Sequence, residues 1–253
     1  MASSILPLWP TTDLHNLHCP ASETALVLSF RTTIPLEDKD LCLALLDPSE
    51  RARWDRLKSA KASDEFLAGR SFLRRVLGQL TGRDPAHVRF DYNPMGRPEL
   101  AVGMPRLGFN LSHSHGLGLL GVAETERVGI DLEEIRPMAD LLGLARRYFA
   151  PAELAALELL APPARLERFF SIWTSKEAFI KAHGAGVGYG LERVEIAMGN
   201  DGTPFFAQLA ENDHPEEWSL IRLEPATGFP AALVLQGRSR AVSCYHIEFT
   251  RAN

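Results

Sequence analysis

The stretch LERFFSIWTSKEAFIKAHGAG, Leu166 to Gly186, reads as one long amphipathic helix, and the rest of the chain is organised around it. Leu166, Phe169, Phe170, Trp173 and Ile180 fall on one stripe at the helical period, and Gly184 supplies a stop. At about 100° per residue, Glu177 lies near the centre of that stripe, one turn after Trp173. A buried carboxylate is costly unless it is paired, so Glu177 should meet a cation, a metal ion or a proton. Lys181, four residues on, is the first candidate. An exposed pair in this order contributes only about 0.2–0.5 kcal/mol, too little to hold a charge inward. The other geometry is a rotated helix with Glu177 at its rim.

Outward from this helix the pattern alternates. TALVLSF (24–30) reads as a strand and LEDKDLCLALL (36–46) as a short helix. DPSERARWDRLK (47–58) carries a capping box, with Asp47 as N-cap, Pro48 at the first helical position and Glu50 three residues after the cap. A further helix, DEFLAGRSFLRRVLGQL (64–80), ends near Thr81-Gly82. Short strands follow at VRFDY (88–92), LGFNLS (107–112), LGLLGVAE (117–124) and VGIDLEE (128–134). DLLGLARRYF (140–149) and the long helix, expected from Pro163 to His183, come next. The tail reads as strands at RVEIAM, PFFAQL, WSLIRLE, AALVLQ and CYHIEF. Helices precede strands twice, which predicts an α+β protein of two similar-sized halves, residues 1–125 and 126–253.

Composition excludes several classes. The chain has 253 residues, 45% of them hydrophobic, enough for one large core or two modest ones. A net charge of −5 argues against general attraction to nucleic acid or acidic membranes. Cys19, Cys42 and Cys244 are widely separated, which fits a reducing compartment rather than a disulfide framework or a zinc site. MASSILPLWPTTDLH lacks a basic start followed by a long apolar run, and no window approaches a membrane span. Cytoplasm is the expected location.

Two strands carry candidate chemistry. In VGIDLEEI, alternation puts Val128, Ile130 and Leu132 on one face and Asp131 with Glu133 on the other, roughly 7 Å apart. Hard carboxylate oxygens at this spacing suit Mg²⁺, and Glu177 could supply a third ligand if the long helix packs on this sheet. In FNLSHSHG, a polar turn is expected at Ser112, His113, Ser114 and His115. Its hydroxyls, imidazoles and amides suit phosphate oxygens. No His-Glu-x-x-His helix or companion cysteine supports zinc. GAGVGYG (184–190) closes a helix instead of opening one, so it reads as a turn and not a phosphate loop. Arg51, Arg53, Arg56, Lys58, Arg70, Arg74 and Arg97 make the first half rich in basic residues that could line an anion site.

Gly96-Arg97-Pro98, Phe109 to Ser114, Gly129 to Glu133, and Phe170 through Trp173-Thr174-Ser175-Lys176-Glu177-Ala178 to Lys181 together resemble the 4′-phosphopantetheinyl transferases of the Sfp type. The matching region runs from about Asp47 to Ile196. The resemblance implies a monomeric pseudodimer of two α+β halves with coenzyme A and Mg²⁺ in the cleft between them. It implies transfer of phosphopantetheine from coenzyme A to a serine of an apo carrier protein, releasing adenosine 3′,5′-bisphosphate. Carried over by position, Asp131, Glu133 and Glu177 are the metal carboxylates, with Glu177 also the base. Lys181 meets the pyrophosphate, and Ser112 and His113 contact coenzyme A, His113 at the 3′-phosphate. Arg97 stands where many members have lysine, keeping the charge but with a planar guanidinium that makes different contacts. Arg53, with Arg51 behind it, is the N-terminal phosphate contact, and Glu153 matches an acidic position near the site. Two rival functions remain at this level: a metal-dependent phosphohydrolase using the same carboxylates with His113 and His115, and a non-catalytic module binding coenzyme A or a carrier. Three convergent carboxylates weigh against the second.

Overall fold

Local chemistry sets the element ends. Asp47 accepts from the N–H groups of Ser49 and Glu50 while Glu50 accepts from that of Asp47, completing the expected capping box. Gly82 and Gly184 close two 22-residue helices with φ of 65° and 82°, a region where an L side chain is strained. The computed structural model describes residues 5–210, 212–238 and 241–248. Its elements begin with β1 (Thr24–Arg31), α1 (Lys39–Ala44), α2 (Pro48–Asp55), α3 (Ala60–Thr81), β2 (Phe90–Tyr92), β3 (Pro98–Leu100), β4 (Gly108–Ser114), β5 (Leu117–Ala123) and β6 (Val128–Leu132). They continue with α4 (Leu141–Tyr148), α5 (Pro151–Glu158), α6 (Pro162–His183), β7 (Glu195–Met198), β8 (Pro204–Gln208), β9 (Trp218–Leu223), β10 (Ala231–Gln236) and β11 (Ala241–Ile247).

The two main sheets have orders β11-β1-β5-β4 and β6-β10-β9. Strand alternation divides β1 between two cores. Leu26, Leu28 and Phe30 face α3, where Phe72, Leu73, Val76 and Leu77 are buried. Val27 faces the other way, into a core with Leu119, Ile130 and Leu233 that joins the two sheets. On the outer face of the second sheet, Ala178, Phe179 and Ala182 of α6 pack with Ala232 and Val234. The layers therefore run helix, sheet, sheet, helix, an α+β architecture in which each sheet carries one long helix.

Several expectations are corrected. β11 pairs in parallel with β1, from Thr24 opposite Ala241 to Phe30 opposite Ile247, so no single cut near residue 125 separates the two sheets. Of the expected strand CYHIEF, Phe249 lies outside the described residues, as do Met1 to Ser4 of the leader. Helix α5 and strand β3 have no counterpart in the sequence reading. Ala152, Leu154, Ala155, Ala156 and Leu157 of α5 distribute apolar side chains around the helix, which leaves no one-sided stripe to detect.

The seam between α6 and β6 depends on Gly129. A Cβ there would overlap the carbonyl oxygen of Ala178 and the amide nitrogen of Ala182, both backbone atoms that cannot rotate away. Gly129→Ala is therefore expected to destabilise the fold by about 3 kcal/mol or more, the upper end for overpacking. Urea unfolding checks this, and a loss below about 1 kcal/mol would mean that α6 can shift without penalty.

Candidate active site

Strand β4 positions side chains on two faces. It continues through Ser114, where a turn was expected from Ser112, and the reversal falls at His115 and Gly116, with φ of 47° and 89°. The polar run misled because both faces of this strand end line polar sites. Alternation sends Ser112 and Ser114 toward β6 and Leu111 and His113 toward α3. At the junction, Asn110 Oδ1 accepts from the Ile130 N–H at 2.9 Å, so a side-chain amide bridges the two sheets. Ser112 Oγ donates to Asp131 Oδ1 at 3.0 Å, and Ser114 Oγ donates to Glu133 Oε2 at 3.0 Å. Asp131 and Glu133 thus project from the same face of the chain.

Helix α6 delivers Lys181 to this point. Its Nζ lies 2.6 Å from Asp131 Oδ1 and 3.2 Å from Ser112 Oγ. The partner of Lys181 is Asp131, and not Glu177, the first candidate for which an i,i+4 pair was already too weak. Glu177 is half-buried, short of the centre of the apolar stripe, and among the described residues it has no hydrogen bond or ion pair. Burial pushes its carboxyl above the usual carboxylate range, Asp131 and Glu133 push it further, and Lys181 opposes them. Burial and then Asp131 raise Glu133 in the same way, against the pull of Ser114, Arg136 and His115. The three carboxylates feel one another's charge. Among the described residues, however, no group of three or more His, Cys, Asp and Glu side chains stands at metal-ligand spacing, so a closed three-carboxylate ligand set is not present. The donors still fit a hard divalent cation: they are oxygens, they repel one another, and Asp131 Oδ2 is buried with no hydrogen-bond partner.

On the opposite face of β4 lies a cavity of about 260 Å³ lined by Arg53, Phe66, Gly69, Arg70, Arg97 and His113. The Arg53 guanidinium stands 5.3 Å from the Phe66 ring. Arg70 approaches Glu50 at 3.7 Å, and its Nη1 is buried without a hydrogen bond. Arg51 lies instead against Trp54, 3.8 Å from Asp55, and does not line the cavity. Arg97 is engaged differently from expectation. Its Nη1 donates to Lys181 O at 2.7 Å, and its Nη2 donates to Phe109 O at 3.2 Å, Glu126 O at 3.2 Å and Val128 O at 2.8 Å.

The fully buried charge of α6 is Lys176, which the sequence reading passed over in favour of its neighbour. Lys176 is 2.7 Å from Glu153 Oε2 and also donates to Leu191 O and Val194 O, using all three ammonium hydrogens. Glu153 accepts in turn from the N–H groups of Ala150 and Ile196 at 2.6 and 2.7 Å. Burial pushes the Glu153 carboxyl up and the Lys176 ammonium down, and their attraction opposes both. Glu153 is therefore in the core of the second half, joining α5, α6 and β7, and not beside Asp131. The spacing of Ile172, Lys176, Phe179 and His183 marks an inward face that the aromatic stripe obscured.

Comparison with known proteins agrees with this arrangement of motifs. Residues 127–234 match the family model of the 4′-phosphopantetheinyl transferase superfamily. The 4′-phosphopantetheinyl transferase HetI of Nostoc sp. is 39% identical over 210 residues, covering 81% of this chain and 86% of that protein. The 4′-phosphopantetheinyl transferase Sfp of Bacillus subtilis is 26% identical over 166 residues, covering 66% of this chain and 72% of that protein. A holo-(acyl-carrier-protein) synthase structure from Bacillus anthracis in complex with CoA (3′,5′-ADP) aligns with 44% of this chain and 96% of that one, with a TM-score of 0.38 and 23% identity. Since the likeness to HetI spans four-fifths of the chain, taking in both strands and the long helix that build the site, the protein belongs to the 4′-phosphopantetheinyl transferase superfamily.

Proposed function

We propose that this protein transfers the 4′-phosphopantetheine group from coenzyme A to a serine of an apo acyl or peptidyl carrier protein. The observation that carries the proposal is the convergence of Ser112, Asp131 and Lys181, beside Glu133 and Glu177, on one side of β4, with Arg53, Arg70 and His113 lining a cavity on the other. A donor with a phosphorylated nucleotide at one end and a pyrophosphate in its middle needs cations at both places. The cavity receives the nucleotide end, with His113 at the 3′-phosphate, and Lys181 and Ser112 meet the pyrophosphate. Asp131, Glu133 and Glu177 would hold Mg²⁺, which when bound neutralises pyrophosphate charge.

In the reaction the carrier serine oxygen attacks the phosphorus bearing pantetheine, forming one P–O bond. The bond from that phosphorus to the bridging oxygen breaks, and adenosine 3′,5′-bisphosphate leaves. Glu177 takes the serine proton, a task favoured by a carboxyl whose proton affinity burial has raised. Lys181 holds the pyrophosphate in line and offsets charge growing on the leaving group. No covalent enzyme intermediate is involved. Residues 1–125 contribute the nucleotide cavity and 126–253 the carboxylates and base. The cytoplasmic, monomeric state belongs to the same proposal, and it is compatible with three free cysteines and with no described helix long and apolar enough to cross a membrane.

The experiment is to incubate the protein with coenzyme A, Mg²⁺ and an apo carrier domain and to weigh the carrier by mass spectrometry. One phosphopantetheine should be added, and none after chelation. An unmodified carrier with coenzyme A intact rejects the proposal, and release of bisphosphate without carrier favours the phosphohydrolase. For His113→Ala, the KM for coenzyme A should rise about tenfold, equivalent to one charge-assisted hydrogen bond. With 3′-dephospho-coenzyme A the same change should have little effect. Equal deficits with both donors would remove His113 from the 3′-phosphate.

A further inference from the structure

Arg97 lines the cavity assigned to the nucleotide, yet its hydrogen bonds run away from it. The side chain starts from a stiff turn. Asn93 Oδ1 accepts from the N–H groups of Met95 and Arg97 at 3.0 Å each, Asn93 N–H donates to Arg97 O at 3.0 Å, and Gly96 takes φ 78°. From that base the guanidinium crosses to three elements. It reaches Phe109 O on β4, Val128 O on β6 with Glu126 O just before it, and Lys181 O in the last turn of α6.

These three are the elements that carry the reaction chemistry. Phe109 is three residues before Ser112, Val128 is three before Asp131, and Lys181 supplies the ammonium itself, one turn after Glu177. In a strand three residues span about 10 Å, so on β4 and β6 the tether holds the same strand that carries the group, and at Lys181 it holds the residue itself. At Lys181 the bond also satisfies a terminal helix carbonyl, where a cation is favoured by the helix dipole. The same residue is thus held at both ends, its carbonyl by Arg97 and its Nζ by Asp131. Little of Arg97 is left for a ligand: Nε is buried without a partner, and Nη2 serves three carbonyls. Arg70, whose Nη1 faces Glu50 at 3.7 Å, and Arg53 remain as guanidinium groups in the cavity.

We propose that Arg97 is a positioning residue that fastens β4, β6 and α6 together and so places Lys181 against Asp131, instead of a residue that binds the donor. This inference rests on the transferase reading above. Lysine is not equivalent here, because its three N–H groups radiate from one nitrogen, whereas Arg97 reaches four carbonyls from two nitrogens of a planar fork.

The test uses the whole protein, comparing wild type with Arg97→Lys and with Arg70→Lys. For R97K, the turnover number should fall on the order of 100-fold, as expected when reacting groups are misplaced by about 1 Å. Its KM for coenzyme A should stay within about threefold of wild type. Hydrogen–deuterium exchange should rise at residues 179–184 and not elsewhere in α6. R70K should show the reverse split, a raised KM with little change in turnover number. If R97K instead raises KM while turnover number and exchange are unchanged, Arg97 binds the donor and the inference is overturned. It is also overturned if R97K turns over normally, or if activity per folded molecule is normal and only the melting temperature drops. Wild-type protein that transfers nothing to any carrier would bring down the transferase reading itself, whereas a shift confined to the variant's KM leaves that reading standing.

Discussion

Asp131→Asn and Glu177→Gln are each expected to lower transfer by on the order of 10³-fold or more, about 4 kcal/mol of transition-state stabilisation, while leaving the protein folded. Asp131 is the hub of the site. One of its oxygens receives Ser112 and Lys181, and the other is buried with no protein partner. Asparagine keeps its size but removes the charge that holds Lys181 and would hold the cation. Since Asp131 and Glu177 sit on different elements and would act through one shared ion, the double variant should be little slower than the slower single variant. Additive losses would point to two independent roles. Near-normal transfer by Glu177→Gln at saturating Mg²⁺ would dismiss Glu177 as base and ligand.

Glu177→Gln carries a second expectation, with a sign set by linkage. The folded protein holds the Glu177 carboxyl above its ordinary range through burial and the neighbouring carboxylates. Stability is then lost as pH rises from the unfolded-state pKa toward the higher folded-state value, and the loss persists above it. Glutamine removes that cost. In metal-free buffer at neutral pH the variant should melt no lower than wild type, and any advantage should disappear once pH falls below the ordinary carboxylate range. A variant that melts well below wild type at neutral pH would mean that the negative charge stabilises this face of α6.

The largest stability effect is expected for Lys176→Met. The substitution keeps volume and strands the Glu153 carboxylate in the core of the second half, a loss of about 3–5 kcal/mol. Glu153→Gln in the same background removes the uncompensated charge and retains one amide oxygen for the Ile196 or Ala150 N–H, so it should recover part of the loss. Full recovery is not expected, because one of those two donors would remain unsatisfied at about 1–3 kcal/mol. Urea unfolding of the four-member cycle gives the coupling directly. A single Lys176→Met loss below about 1 kcal/mol would show that Glu153 neutralises itself by binding a proton, the direction in which burial already drives it.

The sequence by itself determined what depends on near neighbours. The Asp47-Pro48-Glu50 cap, the glycine stops at 82 and 184, the stripe of α6 and the shared face of Asp131 and Glu133 all follow from contacts within about four residues or from a two-residue strand period. The motif order added the family. Only the tertiary structure decided the partners of the charges. Arg97 meets carbonyls 84, 12, 29 and 31 residues away, and no local pattern distinguishes it from an arginine that waits for a phosphate. Lys176 and Lys181 both lie near a glutamate in sequence, yet one pairs with Glu153 in the core and the other with Asp131 across the sheet junction. β11 likewise joined the first sheet, since an exposed β1 edge is satisfied by whichever strand reaches it, however distant in sequence. Buried ions and backbone groups must find partners in space, and for these residues the partners are supplied by the packing of two sheets and two helices that sequence neighbours do not encode.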